Sequence, residues 1–299
     1  MASLIKKVAV LGLGNLGVQI ALQAAACGYE VFAYSSKKHA IKLFLDSLNV
    51  NDQPQDKHLP INLAKWPKIA DDIKIFPSIE EAVALADIVI EVVPEDLELK
   101  LNVWREMDTA SPDHAIFATN SSSIPVSQLE GTTHRPEKCL NIHFYQLKLG
   151  VNLADVMGGT KTNTETLHAG REFVRSLGVL PLNVNKELLG FCFNRVWRAV
   201  KREVLFMWAE GYVDHRDVDK AWMIWTGAPW GPFALMDTIG LDVIWDIEMV
   251  YYNDTKDDRD HPPQALKDMI KSGRLGVKTG QGFYTYPNPE FKLSTFLKP

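Results

Sequence analysis

Hydrophobic residues change their spacing once along this chain. Before residue 190 they come in short apolar or β-branched runs, several of them separated by stretches with helical spacing. Lys7–Leu11 (KVAVL), Glu30–Tyr34 (EVFAY), Ile73–Phe76, Asp87–Val93 (DIVIEVV), Ala115–Thr119 and Cys139–Phe144 read as strands, and Val18–Gly28 (VQIALQAAACG) reads as a helix. Such alternation predicts an α/β fold with a parallel, doubly wound sheet. The polar, proline-broken stretch 49–68 predicts a loop or an irregular helical excursion.

From Gly190 the period becomes helical. Phe193, Val196, Trp197, Val200, Val204, Met207 and Trp208 share one face of a long helix, with Gly211 placed to cap its end. Helical patterns follow at 214–225 and at 233–252, the latter apolar around most of its circumference and so expected to be deeply buried. We therefore expect a domain spanning 1–186 and an all-helical domain spanning 187–299. Six of the 8 tryptophans lie between Trp197 and Trp245, which predicts an ordinary helical core that also buries a face against a second copy of the chain.

Composition narrows the function classes. With 299 residues and 46% hydrophobic content the chain can build about two real cores. A net charge of −5 argues against a nucleic-acid footprint and points to a small-molecule partner. Cys27, Cys139 and Cys192 stand far apart without metal-ligand spacing, so we expect no disulfide framework, no metal site and a reducing, cytoplasmic setting. No run approaches 18 apolar residues, and glycines interrupt the one near the N-terminus, so neither a membrane span nor a signal peptide is expected.

Those glycines carry the first chemical signal. Gly12-Leu13-Gly14-Asn15-Leu16-Gly17 sits between the first strand and the first helix, the setting in which GxGxxG receives a dinucleotide pyrophosphate at a helix N-terminus. NAD enzymes usually place a carboxylate at the end of the second strand to hold the ribose 2′-hydroxyl. Here the chain reads Tyr34-Ser35-Ser36-Lys37-Lys38, hydroxyls and ammonium groups that suit a 2′-phosphate, so NADP is favoured over NAD. His143, alone on an apolar run, and Asp155 are the further polar residues of interest, although an isolated histidine is more often structural.

Seven motifs stand in one order: Thr119-Asn120-Ser121-Ser122-Ser123, 143-HFYQ-146, Asp155-Val156-Met157, 190-GFCFNR-195, 227-GAPWGPF-233, 239-IGLD-242 and 278-KTGQGFYTY-286. In this the chain resembles the 3-hydroxyacyl-CoA dehydrogenases, in particular the short 3-hydroxybutyryl-CoA dehydrogenases and diketoreductases. The resemblance implies a Rossmann-type sheet, a helical dimerisation domain and hydride transfer between a nicotinamide and C3 of a 3-hydroxy or 3-oxo substrate. It casts His143 as the catalytic acid and base, Asp155 as the carboxylate that orients it, and Ser122 and Asn194 as partners of the substrate oxygen and the histidine environment. Glu95 and Lys100 fall where the family contacts the nicotinamide ribose, and Asn120 also falls in the cofactor site. Lys65, Lys68 and Lys148 could meet the phosphates of coenzyme A.

The chain departs from the family at three points. Asp155 replaces a glutamate, Gln146-Leu147 replaces Asn-Pro, and the acid ending strand two is missing. These put rate, substrate and cofactor in question. They also leave room for a reductase of 3-oxo acids or esters without coenzyme A, or for a non-catalytic dinucleotide-binding protein like the lens crystallins. A lysine four residues before the long-helix asparagine would mark a rival dehydrogenase class; Gly190 stands there, which argues against it.

Overall fold

The computed structural model describes residues 5–37, 39–47, 65–147 and 152–298. Lys38, Lys148 and most of the 49–68 stretch therefore lie outside the described residues. Two compact units emerge, 1–192 and 193–299, so the division falls a few residues beyond Lys186.

In the first unit, strands β1 (Lys7–Leu11), β2 (Glu30–Tyr34), β3 (Lys74–Phe76), β4 (Ile88–Glu91), β5 (Ile116–Thr119), β6 (Cys139–Phe144), β7 (Leu153–Gly158) and β8 (Leu180–Val184) form one sheet in the order β3-β2-β1-β4-β5-β6-β7-β8. Helices α1 (Asn15–Ala26), α2 (Ala40–Ser47), α3 (Trp66–Ile69), α4 (Ile79–Val83), α5 (Leu97–Ala110) and α6 (Thr164–Ser176) connect them. Successive strand side chains point to opposite faces, and here both faces are covered. Val8 and Val10 join one core with Ile20, Ile142 and Phe173, while Ala9 and Leu11 join another with Trp104, Met107 and Phe117.

The expected parallel sheet holds for β1 to β6. The last two strands are an addition to the pattern. β7 pairs antiparallel with β6, and β8 runs parallel to β7. Neither was evident from residue spacing, because β7 (LADVMG) and β8 (LPLNV) are short and broken by Asp155, Pro181 and Asn183.

The second unit holds α7 (Phe193–Ala209), α8 (His215–Thr226), α9 (Pro232–Ile239), α10 (Leu241–Thr255) and α11 (Gln264–Lys271). Gly211 ends α7 at φ 75, its amide on Trp208 O and the amide of Tyr212 on Met207 O, the expected glycine cap. The pattern at 233–252 is two helices, not one, because Gly240 takes φ 107, a conformation other residues avoid. Nor is α10 buried all round. Leu241, Ile244 and Tyr251 face the core while Val243, Ile247 and Val250 stay exposed. Two buried carboxylates organise this unit. Asp219 accepts the amides of Phe233 and Ala234 and the Tyr284 hydroxyl, and Asp237 accepts the amides of Phe283 and Tyr284.

Candidate active site

The sheet itself brings His143 and Asp155 together. Twelve residues apart in sequence, they are cross-strand partners in the β6–β7 register, so their side chains rise from adjacent positions on one face. His143 Nδ1 lies 3.3 Å from Asp155 Oδ2, and Nε2 lies 3.0 Å from Ser122 Oγ. A carboxylate only accepts hydrogen bonds, so Nδ1 carries the ring proton and Nε2 presents its lone pair to Ser122. Asp155 is completely buried and His143 nearly so. Asp155 has two further donors: the Tyr145 hydroxyl at 2.8 Å on Oδ2 and the Cys192 amide at 3.2 Å on Oδ1. The Phe191 ring stacks on the imidazole at 4.9 Å, with planes 11° apart. Phe191 holds φ 52, a left-handed conformation a bulky residue rarely adopts, and the stacked ring and the adjacent Cys192 bond hold it there.

The glycine motif is shaped for an anion. Gly12 has φ 104, and a Cβ there would meet Val92 O at 2.6 Å; a Cβ on Gly17 would meet Gly12 O at 1.9 Å. These two glycines let loop, helix and strand pack. Gly14 differs, since a Cβ there would meet nothing within 4 Å, and no side chain caps the α1 N-terminus that begins at Asn15 and Leu16. Open space before a helix N-terminus is the fit a pyrophosphate needs. Past β2, Ser35 is half-buried, Ser36 and Lys37 are exposed, and the Lys37 amide turns back onto Ser35 Oγ.

A third group organises the loop that carries Ser122. Glu91, ending β4, is fully buried and accepts from Lys100 Nζ (2.7 Å), the Val93 amide (2.8 Å), Thr119 Oγ1 (2.8 Å) and the Trp104 indole (3.4 Å). Glu95 precedes α5, whose cap is Asp96, and gathers the Ser121 hydroxyl and the amide and hydroxyl of Ser123. Burial pushes the Glu95 carboxyl up, but the Ser121 and Ser123 hydrogen bonds and the Lys100 charge outweigh it and hold it below the usual range. Lys100 itself is 1% exposed and engaged with Glu91, the Val93 carbonyl and Glu95. Its protein partners are thus two acidic side chains and a backbone carbonyl. Asn120 Oδ1 accepts the Phe144 amide at 2.8 Å, tying the same loop to β6. Asn194 lies half-buried in the first turn of α7, in the second unit.

Known proteins match this arrangement over nearly the whole chain. Residues 7–188 match the NAD binding domain of 3-hydroxyacyl-CoA dehydrogenase, and residues 190–286 match its C-terminal domain. The chain belongs to the 3-hydroxyacyl-CoA dehydrogenase family. It is an oxidoreductase. A probable 3-hydroxybutyryl-CoA dehydrogenase of Bacillus subtilis (strain 168) is 31% identical over 285 residues, covering 94% of this chain and 98% of the relative. The 5-formyl-3-hydroxy-2-methylpyridine 4-carboxylate 5-dehydrogenase of Mesorhizobium japonicum is 30% identical, covering 97% of this chain and 93% of the relative. Among solved structures, a diketoreductase acting on dicarbonyl compounds superimposes with a TM-score of 0.81 at 33% identity, covering 95% of this chain and 100% of its own.

Within this family frame the departures acquire partners. Gln146 Oε1 accepts from Asn15 Nδ2 (3.2 Å) and Gln19 Nε2 (3.1 Å), linking the segment after His143 to the first turns of α1. The shortened carboxylate of Asp155 reaches the histidine directly, because antiparallel pairing sets the two residues opposite each other. Sequence reasoning missed Glu91, Tyr145 and Phe191. An acid closing the apolar run IVIE was a usable signal, since a strand inside a parallel sheet has no solvent face for a charge. Lys65 and Lys68 are exposed. Among the described residues no helix is long and apolar enough to cross a membrane, and no cluster of histidine, cysteine and acidic groups could hold a metal.

Proposed function

We propose that this protein interconverts a 3-hydroxyacyl and a 3-oxoacyl compound, with a coenzyme A thioester as the first substrate class and His143 as general acid and base. The observation that carries the reading is the chain Ser122–His143–Asp155, in which the carboxylate holds Nδ1 and leaves Nε2 as the acceptor. A bound nicotinamide supplies the hydride exchange at C3. In oxidation Nε2 takes the proton of the C3 hydroxyl, and in reduction it returns it. Asp155 keeps the ring oriented and stabilises the imidazolium. Ser122 Oγ, at hydrogen-bond distance from Nε2, is assigned the substrate oxygen.

The opening at Gly14 and the α1 N-terminus are assigned the pyrophosphate, and Ser35, Ser36 and Lys37 the adenosine ribose end. No carboxylate stands there for a free 2′-hydroxyl, which supports NADP over NAD. A homodimer through the second unit is the assembly we favour, because α10 exposes Val243, Ile247 and Val250 along one stripe and Trp225 on α8 is 90% exposed. Three free cysteines suit the cytoplasm. A 3-oxo acid or ester without coenzyme A is the second reading. The diketoreductase likeness and the Gln146 link, which alters the segment beside the histidine, favour it.

The test is acetoacetyl-CoA reduction with NADPH and NADH in parallel, for the wild type and His143→Ala, beside a 3-oxo ester lacking coenzyme A. Turnover that falls by about three orders of magnitude or more in His143→Ala supports the mechanism. A full rate in that variant refutes it. Faster turnover with NADH refutes the NADP preference alone, and turnover of the ester alone selects the second reading. Light scattering of the purified chain reads the assembly, and a monomer at micromolar concentration would overturn the dimer.

A further inference from the structure

Two donors share one carboxylate oxygen beside the histidine. Asp155 Oδ2 lies 3.3 Å from His143 Nδ1, at the long edge of a hydrogen bond, but only 2.8 Å from the Tyr145 hydroxyl. The tyrosine is therefore the closer partner and sets where Oδ2 rests. Its ring also stands edge-on to the imidazole, with centroids 4.8 Å apart and planes at 75°, so one side chain fixes both members of the pair. The Cys192 amide holds Oδ1. Asp155 is wholly buried, so water cannot replace a lost donor without the site opening.

We infer that Tyr145 is a positioning residue for the acid–base pair, its hydroxyl holding the carboxylate of Asp155 at the height from which the aspartate reaches Nδ1. The inference rests on the role proposed above for His143, and it goes beyond it in making hydroxyl length and carboxylate length a matched set. Removing the hydroxyl frees Oδ2 to turn away from the ring. Lengthening the carboxylate by one methylene pushes it into the hydroxyl. Doing both restores the fit, because the longer acid occupies the space that the hydroxyl vacates. A tyrosine that merely filled space would show no such reciprocity.

The experiment is a double-mutant cycle of Tyr145→Phe, Asp155→Glu and the two together, read by kcat and KM and, independently of any substrate, by the urea midpoint of the purified proteins. The expected result is a five- to fifty-fold loss of kcat in Tyr145→Phe with KM within about twofold, a comparable loss in Asp155→Glu, and a double variant that regains most of the wild-type rate. The urea midpoints should show the same reciprocity. An unchanged kcat in Tyr145→Phe, or single losses that simply multiply in the double variant, overturns the inference. If the wild type turns over no 3-oxo substrate, the proposed function fails while the urea cycle still decides: a recovered midpoint upholds the matched set and additive midpoints overturn it.

Discussion

Replacing Lys100 by methionine keeps most of the side-chain volume and removes one charge from a dry site. Lys100 and Glu91 are 1% and 0% exposed, with Nζ and Oε1 2.7 Å apart. At an effective dielectric near 20 their attraction is about 6 kcal/mol, and it offsets a desolvation cost of several kcal/mol for each ion. Losing the lysine abolishes the attraction but leaves Glu91 buried. The Val93 amide, the Thr119 hydroxyl and the Trp104 indole remain, each contributing about 1 kcal/mol. The expected net loss is about 3–5 kcal/mol, the range for a buried ion pair deprived of one partner. Urea unfolding at neutral pH, with hydrogen exchange of the β4 and β5 amides to assign the transition, measures it. Lys100→Met/Glu91→Gln should recover at least half of the loss, because no uncompensated charge stays inside. Turnover should also fall in the single variant at temperatures where it is folded, since Glu91 anchors Thr119 and Asn120 at the root of the loop bearing Ser122. A loss below about 1 kcal/mol, or a double variant no better than the single one, would refute the reasoning.

Two further outcomes follow from the geometry. Gly14→Ala should fold with an unchanged melting temperature, because its Cβ meets nothing, yet bind NADPH or NADH at least tenfold more weakly by titration; Gly17→Ala, whose Cβ would fall 1.9 Å from Gly12 O, should lose stability whether or not dinucleotide is present. Burial pushes the Asp219 carboxyl up to about 6 against the hydrogen bonds that it accepts. The folded chain therefore holds a proton between about pH 4 and 6 that the unfolded chain has released, and stability falls as pH rises through that window, by up to about 3 kcal/mol. Wild type should accordingly gain on Asp219→Asn in urea midpoint as pH drops from 7 to 4.5, and a constant difference between them would contradict the buried, proton-holding state.

Local chemistry was legible wherever a short segment obeys its own rules. The GxGxxG turn needs glycines for backbone reasons confined to a few residues, so strand, turn and α1 could be read directly. The apolar runs of β1, β4, β5 and β6 announced a parallel sheet covered on both faces, because strands buried on both faces are apolar nearly throughout. The long amphipathic α7 and its glycine cap were equally plain. The expectation that His143 is catalytic came from motif order, since its own apolar run does not distinguish a catalyst from a structural ring.

What the chain alone could not disclose was which distant residues share a wall. β7 carries an aspartate in its middle and drew no strand reading, and only antiparallel pairing with β6 sets Asp155 opposite His143. Glu91 drew no reading in its apolar run and Lys100 was read only through the resemblance, whereas burial makes the two a pair at the root of the loop bearing Ser122. Local sequence thus determined the cofactor-shaped turn, the sheet-forming runs and the helical second unit, because each depends on near neighbours along the chain. Tertiary structure decided the partners of the histidine and the role of the buried charges, because cross-strand register and exclusion of water are properties of the assembled sheet.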